Sequence, residues 1–308
     1  MTTVSLAMGY QDNWWPILTS PFMRNAVISG TIVALAAGLI GYFIVVRQTA
    51  FASHALAHAG LPGATGAVLL GLPAVLGFGA FCVIGAVAMG AVGKRAIDRD
   101  VVTGTTLAFA TGLGLFFNSM ATKSSSTMTN VLFGNLLAVS EEQLYVFTAL
   151  LVVLTVAIAA MYRPLLYSSI NPAVAEAKGV PVQALSVVFM LLLAVSVTMA
   201  VQAVGMLLLF ALLITPAATA IMLNPRPATA MAVSAVISVV SVWLGLGFSA
   251  MFNVPPSFLI VTIACATWAV VWSVSRRLER TTRALALPIP VGDSAEAATS
   301  GARAASAP

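Results

Sequence analysis

The chain is 308 residues long, 60% hydrophobic and only 7% charged, with a formal net charge of +5. Soluble globular proteins carry about a quarter of their residues as Asp, Glu, Lys or Arg, so this chain cannot coat a compact body with charge. Lipid must face most of its surface, which excludes a soluble enzyme, a nucleic-acid binder and a disordered protein, and makes the positive charge a matter of membrane orientation. In chain order, residues 1–21 come first, where Trp14, Trp15 and Pro16 read as an interfacial anchor. The first positive charge is Arg24, so the charge order of a cleavable signal peptide is missing. Nine apolar runs follow, near 22–46, 50–71, 74–93, 101–121, 143–162, 182–203, 205–223, 229–252 and 257–275. The break between the sixth and seventh is weak, which leaves eight or ten spans open. Lipid offers backbone groups no partner, so runs of this length must be helices. The expected fold is an all-α polytopic membrane protein with one transmembrane domain over residues 22–280.

The loops supply the orientation. With nine spans and an external N-terminus, twelve basic residues are internal: Arg47, Lys94, Arg95, Arg99, Arg163, Lys178, Arg226, Arg276, Arg277, Arg280, Arg283 and Arg303. Arg24 and Lys123 alone are external, and the inverted topology would reverse this bias. The C-terminus is therefore expected in the cytoplasm. The external stretch 122–142 is rich in Ser and Thr and ends on Glu141 and Glu142. The internal stretch 163–181 contains a short candidate helix, with Pro172 in its first turn and Gly179 at its end. Residues 281–308, largely Ala, Ser, Gly and Pro, read as a disordered cytoplasmic tail. Cys82 and Cys265 lie in apolar runs without CxxC spacing and read as packing residues.

None of the nine acids, Asp12, Asp98, Asp100, Glu141, Glu142, Glu176, Glu279, Asp293 and Glu296, sits within a span. His54 and His58, the only histidines, both lie in the second run. At about 1.5 Å per residue they stand roughly 10 and 16 Å beyond Arg47, near the middle of a hydrocarbon core about 30 Å thick. Their i, i+4 spacing puts both imidazoles on one helix face. Neutral imidazole ligates zinc and related divalent ions, and two facing copies of the chain would supply four nitrogens. The alternative is that each histidine bonds a neighbouring helix. An isolated intramembrane pair points instead to a transport pathway. The same run carries a row of small residues, Ala55, Ala59, Gly63, Ala67 and Gly71, that admits a close helix. Pro62 interrupts its backbone ladder.

The stretch Phe51-Ala52-Ser53-His54-Ala55-Leu56-Ala57-His58-Ala59-Gly60-Leu61-Pro62-Gly63 resembles the second-helix motif of the zinc/manganese ABC-importer permeases. Leu132 to Ser140 is similar to that family's "LFG" element, and Asn171 to Pro181 to its cytoplasmic segment that engages the ATPase. The run from Val204 to Ala220, with Gly205-Met206-Leu207 and Thr215-Pro216-Ala217, is the most specific match. The resemblance covers roughly residues 22 to 280. It implies a homodimeric membrane subunit with a cytoplasmic ATPase dimer and an external metal-binding lipoprotein, in the cell membrane of a prokaryote. It also implies an Asp and a His that coordinate the transported ion. The His carries over onto His58, while His54 occupies the Asp position. Exchanging oxygen for nitrogen favours Zn²⁺ over Mn²⁺, so zinc is the expected substrate and manganese the next, with no permanently bound cofactor. The residues expected to couple to the ATPase are Asn171, Pro172, Ala175, Glu176, Lys178 and Gly179. Asn171 replaces the family's Asp, and either residue caps a helix N-terminus.

No catalytic residues are expected. Gly93-Lys94-Arg95 lacks both the earlier Gly and the following Ser or Thr of a phosphate loop, and Ala55 stands where a zinc protease's HExxH has Glu. A stand-alone gradient-driven metal carrier is the rival reading, but such carriers place acids within their spans. A membrane scaffold in which the histidines only pack is the third.

Overall fold

The structure, a computed structural model, describes Pro16 and residues 20–91, 96–120, 124–224, 226–252 and 254–285. Trp14 and Trp15, and the tail beyond Leu285, lie outside the described residues. The chain divides into two compact units, residues 1–271 and 272–308. Eleven α-helices are described: α1 (Pro21–Val46), α2 (Ala50–Leu69), α3 (Ala74–Ala91), α4 (Ala96–Met120), α5 (Ser124–Phe133), α6 (Glu141–Ile170), α7 (Pro172–Ala177), α8 (Val182–Val204), α9 (Met206–Leu223), α10 (Pro227–Phe252) and α11 (Pro256–Leu285). A 3₁₀ turn, Leu136–Ala138, separates α5 from α6.

Every expected span has its helix. Seven are long and apolar enough to cross a bilayer: α1, α3, α4 from Asp100, α6, α8, α10 and α11 as far as Arg277. The other two, α2 and α9, fall short of that measure by composition or length, and both are packed by neighbouring helices. Three contacts show that α2 nevertheless makes a full passage. The Arg24 side chain at the start of α1 lies 3.7 Å from Glu141 at the start of α6. Arg47, just after α1, donates to Ser168 Oγ at 3.0 Å near the end of α6. Gln183, at the start of α8, donates to the Ala91 carbonyl at the end of α3, at 2.9 Å. These pairs require α1, α3 and α6 to run one way and α2, α4 and α8 the other.

Small residues allow the close packing that lipid cannot drive by itself. The row read on the second run faces α3: a Cβ added at Gly63 would strike the Gly77 carbonyl, and one at Gly77 would meet Ala67 Cβ at 2.6 Å. Gly85 approaches Ala59 in the same way, at 3.0 Å. On the other side of the bundle, α1 packs on α10, where Gly38 abuts the backbone of Ala235.

The stretch 122–142, read only as external and rich in Ser and Thr, holds α5 and the 3₁₀ turn. Ser and Thr are only modest helix formers, and packing of α5 against α2, α8 and α9 supplies what propensity does not. Gly134, at the end of α5, and Gly205, at the α8–α9 break, have φ of +70° and +86°. Their backbones touch, Asn135 N–H donates to the Gln202 carbonyl at 3.1 Å, and a Cβ on either glycine would collide with the other strand of chain. The weak sixth-to-seventh break is thus a real one, held open by left-handed glycines that no other residue replaces without strain. α11 runs to Leu285, past the expected tail start at 281, since Thr281-Thr282-Arg283-Ala284-Leu285 contains no helix breaker. In the second unit the Arg276 guanidinium lies 4.4 Å from the centroid of the Trp272 ring.

Candidate metal-binding site

The local chain sets the direction of the two imidazoles. α2 is helical through both histidines, and Ala55, Leu56 and Ala57 between them are fully buried. The one-turn spacing therefore stacks the rings on a single face, with centroids 4.8 Å apart at an interplanar angle of 66°. Both histidines are half-buried. The His54 ring meets Phe210 of α9 edge-to-face at 5.9 Å. Its Nδ1 is buried with no hydrogen-bond partner. His58 Nδ1 lies 3.2 Å from Thr111 Oγ1 on α4. Pro62 has no N–H to offer the His58 carbonyl four residues earlier, so the helical ladder is broken just past the pair.

Chemically this is half a tetrahedral nitrogen set. Among the described residues no group of three or more His, Cys, Asp and Glu gathers anywhere. Two adjacent imidazoles in a sparsely charged interior can take one soft or borderline divalent ion between them, given further ligands.

The expected coupling residues lie at the end of the bundle where α6 finishes. Asn171 Oδ1 accepts from Val174 N–H at 3.1 Å and caps α7, with Pro172 at its first position. Gly179 has φ +80°; its N–H donates to the Glu176 carbonyl at 2.9 Å, and Val180 N–H to the Ala175 carbonyl at 3.1 Å. That pair of bonds is a Schellman motif, which needs the left-handed conformation that Gly179 supplies. Ala175 is the buried anchor of this turn, Glu176 is exposed, and the Lys178 ammonium sits 5.8 Å from the Tyr167 ring centroid. The histidine pair and this turn are separate groups on different helices.

Sequence reasoning missed three residues. Thr111 and Phe210 flank the imidazoles, and Arg47 ties α1 to Ser168 and Ser169 ahead of α7 while its guanidinium lies 4.9 Å from the Phe189 centroid. Arg47 was legible as a charge but not as a clamp. Hydroxyls are common in these spans, so nothing singled out Thr111.

Residues 19–275 match the model of the ABC 3 transport family. The chain belongs to this family. Its relatives include the manganese transport system membrane protein MntC of Halalkalibacterium halodurans, 33% identical over 84% of this chain and 89% of that protein. The manganese import system permease protein ScaB of Streptococcus gordonii is 31% identical over 78% of this chain and 86% of that protein. Among solved structures, PsaBC from Streptococcus pneumoniae in complex with Fab superposes with a TM-score of 0.75 at 30% identity, covering 84% of this chain and 94% of that one. The chain is a membrane-spanning ABC 3 permease of the metal-importer class, and its all-helical bundle is that family's fold.

Proposed function

We propose that this permease imports a divalent first-row transition ion, which passes through His54 and His58 as neutral imidazole ligands. The observation that carries this reading is the pair of rings 4.8 Å apart on one face of α2, in a chain whose acids stand at span ends or in loops. Two copies related by a twofold axis would complete the set with four nitrogens, an arrangement that favours zinc. Manganese is the second reading, favoured by the names of the relatives, MntC and ScaB.

ATP hydrolysis belongs to a separate cytoplasmic ATPase dimer, which docks on α7 through the exposed turn from Asn171 to Gly179. An external metal-binding lipoprotein delivers the ion at the end where α1 and α6 begin. The skew of basic residues supports a cytoplasmic position for α7 and for the C-terminus in the cell membrane of a prokaryote.

The test is ATP-dependent uptake of radioactive zinc and manganese by proteoliposomes holding the permease, its ATPase and the binding protein. Replacing His54 and His58 together by Ala should abolish uptake of the preferred ion while ATPase assembly persists. Undiminished uptake by the double variant would refute the site. Uptake by the permease alone, without ATP, would favour a gradient-driven carrier instead. Preferred manganese uptake by the unmodified chain would decide against zinc, and His54→Asp should shift preference toward manganese.

A further inference from the structure

We propose that Thr111 is a positioning residue that fixes the tautomer of His58 and thereby selects Nε2 as the atom that receives the ion. This rests on the function proposed above but concerns a residue on a different helix.

The argument counts protons. A threonine hydroxyl has one proton to donate and two lone pairs to accept with. Thr111 Oγ1 lies 2.8 Å from the Leu107 carbonyl, one turn back on α4, and donates to it. With the hydroxyl proton assigned to this shorter contact, the one with His58 Nδ1, at 3.2 Å, is one in which the oxygen accepts. The proton in that bond belongs to the imidazole, so Nδ1 is protonated. A neutral ring has one proton only, so Nε2 is left with its lone pair bare. Metal-ligating histidines commonly donate their second N–H to a fixed oxygen, which holds the ring and raises the basicity of the ligating nitrogen. Thr111 provides that oxygen from α4, and α2 packs closely on α4.

His54 has no such device. Its Nδ1 is buried without a partner, and its neighbours are the His58 ring and Phe210, neither of which fixes a tautomer. The two rings therefore differ before any ion arrives: His58 is pre-set and His54 is not.

The experiment uses the full-length permease in lipid nanodiscs, with isotope-labelled imidazole nitrogens and zinc alone as the probe. The chain has two histidines, so His54→Ala assigns the spectrum. In the ion-free chain His58 should show a protonated Nδ1 and a bare Nε2. Thr111→Val should release this preference and weaken zinc binding by about 10- to 100-fold, the usual effect of losing such an outer partner. Thr111→Ser should restore both the spectrum and the affinity, which a purely space-filling role would not require. A bare Nδ1 on His58 in the unmodified chain would overturn the proposal. So would unchanged zinc affinity and tautomer in Thr111→Val. Should His58→Ala abolish binding while Thr111→Val does not, the metal site stands and the role of Thr111 falls. Should His58→Ala leave binding intact, both fall.

Discussion

The imidazole pair on α2 and the turn around α7 were both read from sequence, yet they are built in opposite ways. Every bond that shapes the turn is made within six residues: Asn171 to Val174, Gly179 to Glu176, and Val180 to Ala175. The imidazoles are placed locally by the i, i+4 rule, but their surroundings come from far along the chain, through Thr111, Phe210 and Gly77. The turn takes its form from its own residues, and the bundle adds only the pocket that buries Ala175. The proposed metal site depends on its neighbours, and the supports most easily broken are the close helix contacts further along α2.

The largest effect should therefore come from α2–α3. A methyl group added at Gly63 would meet the Gly77 carbonyl and Phe81 Cβ at 2.8 Å, and backbone cannot yield as a flexible side chain can. Gly63→Ala should cost about 2 kcal/mol or more and displace the imidazoles with the helix. Gly104, on α4, has nothing within 4 Å of an added Cβ. Gly104→Ala should be neutral or stabilise by about 0.5–1 kcal/mol through helix propensity. Unfolding midpoints in the same lipid, with zinc affinity measured alongside, compare the two. Equal midpoints would remove the contrast, because the close approach at Gly63 would then carry no stability.

How much was legible follows the same division. Nine apolar runs were legible because lipid demands long apolar helices, with eight or ten left open at the weak sixth-to-seventh break, which the fold places at Gly205. The extra length of α6 was not. Arg163 and Pro164 marked the end of the apolar run, but the helix continues to Ile170. A charge marks where lipid ends rather than where a helix does, because long basic side chains reach water while their helix goes on. α5 was missed because its Ser-Ser-Ser-Thr start reads as loop by propensity, and packing decides otherwise. The histidines stood out only because the interior is so empty of charge. Thr111 belongs to a crowd of threonines in α4, and nothing in the spacing says which of them faces His58.

An intermediate effect is expected at the turn, and it should stay there. Gly179 has open space around it, so Gly179→Ala adds no clash and costs only its left-handed φ of +80°, about 1–2 kcal/mol. Asn171→Ala removes the cap, at about 1 kcal/mol. Hydrogen exchange at the amides of Val174, Gly179 and Val180 should accelerate in both variants, while zinc affinity stays unchanged. A change in zinc affinity would show that the turn and the site are not separately built in the ion-free chain.

The smallest effect tests whether distance along the sequence is what matters. Arg24 and Glu141 are as remote from each other in sequence as the imidazole pair is from its neighbours, yet their side chains are 66% and 72% exposed and 3.7 Å apart. Water screens both charges and competes for each, so a double-mutant cycle with Arg24→Ala and Glu141→Ala should give a coupling of about 0.5 kcal/mol or less. The contact reports which helix ends meet without holding them there. A coupling well above 1 kcal/mol would mean that exposed remote contacts also shape the bundle. A small one would assign that task to close buried packing such as that of Gly63 on Gly77, where backbone meets backbone and no water can enter.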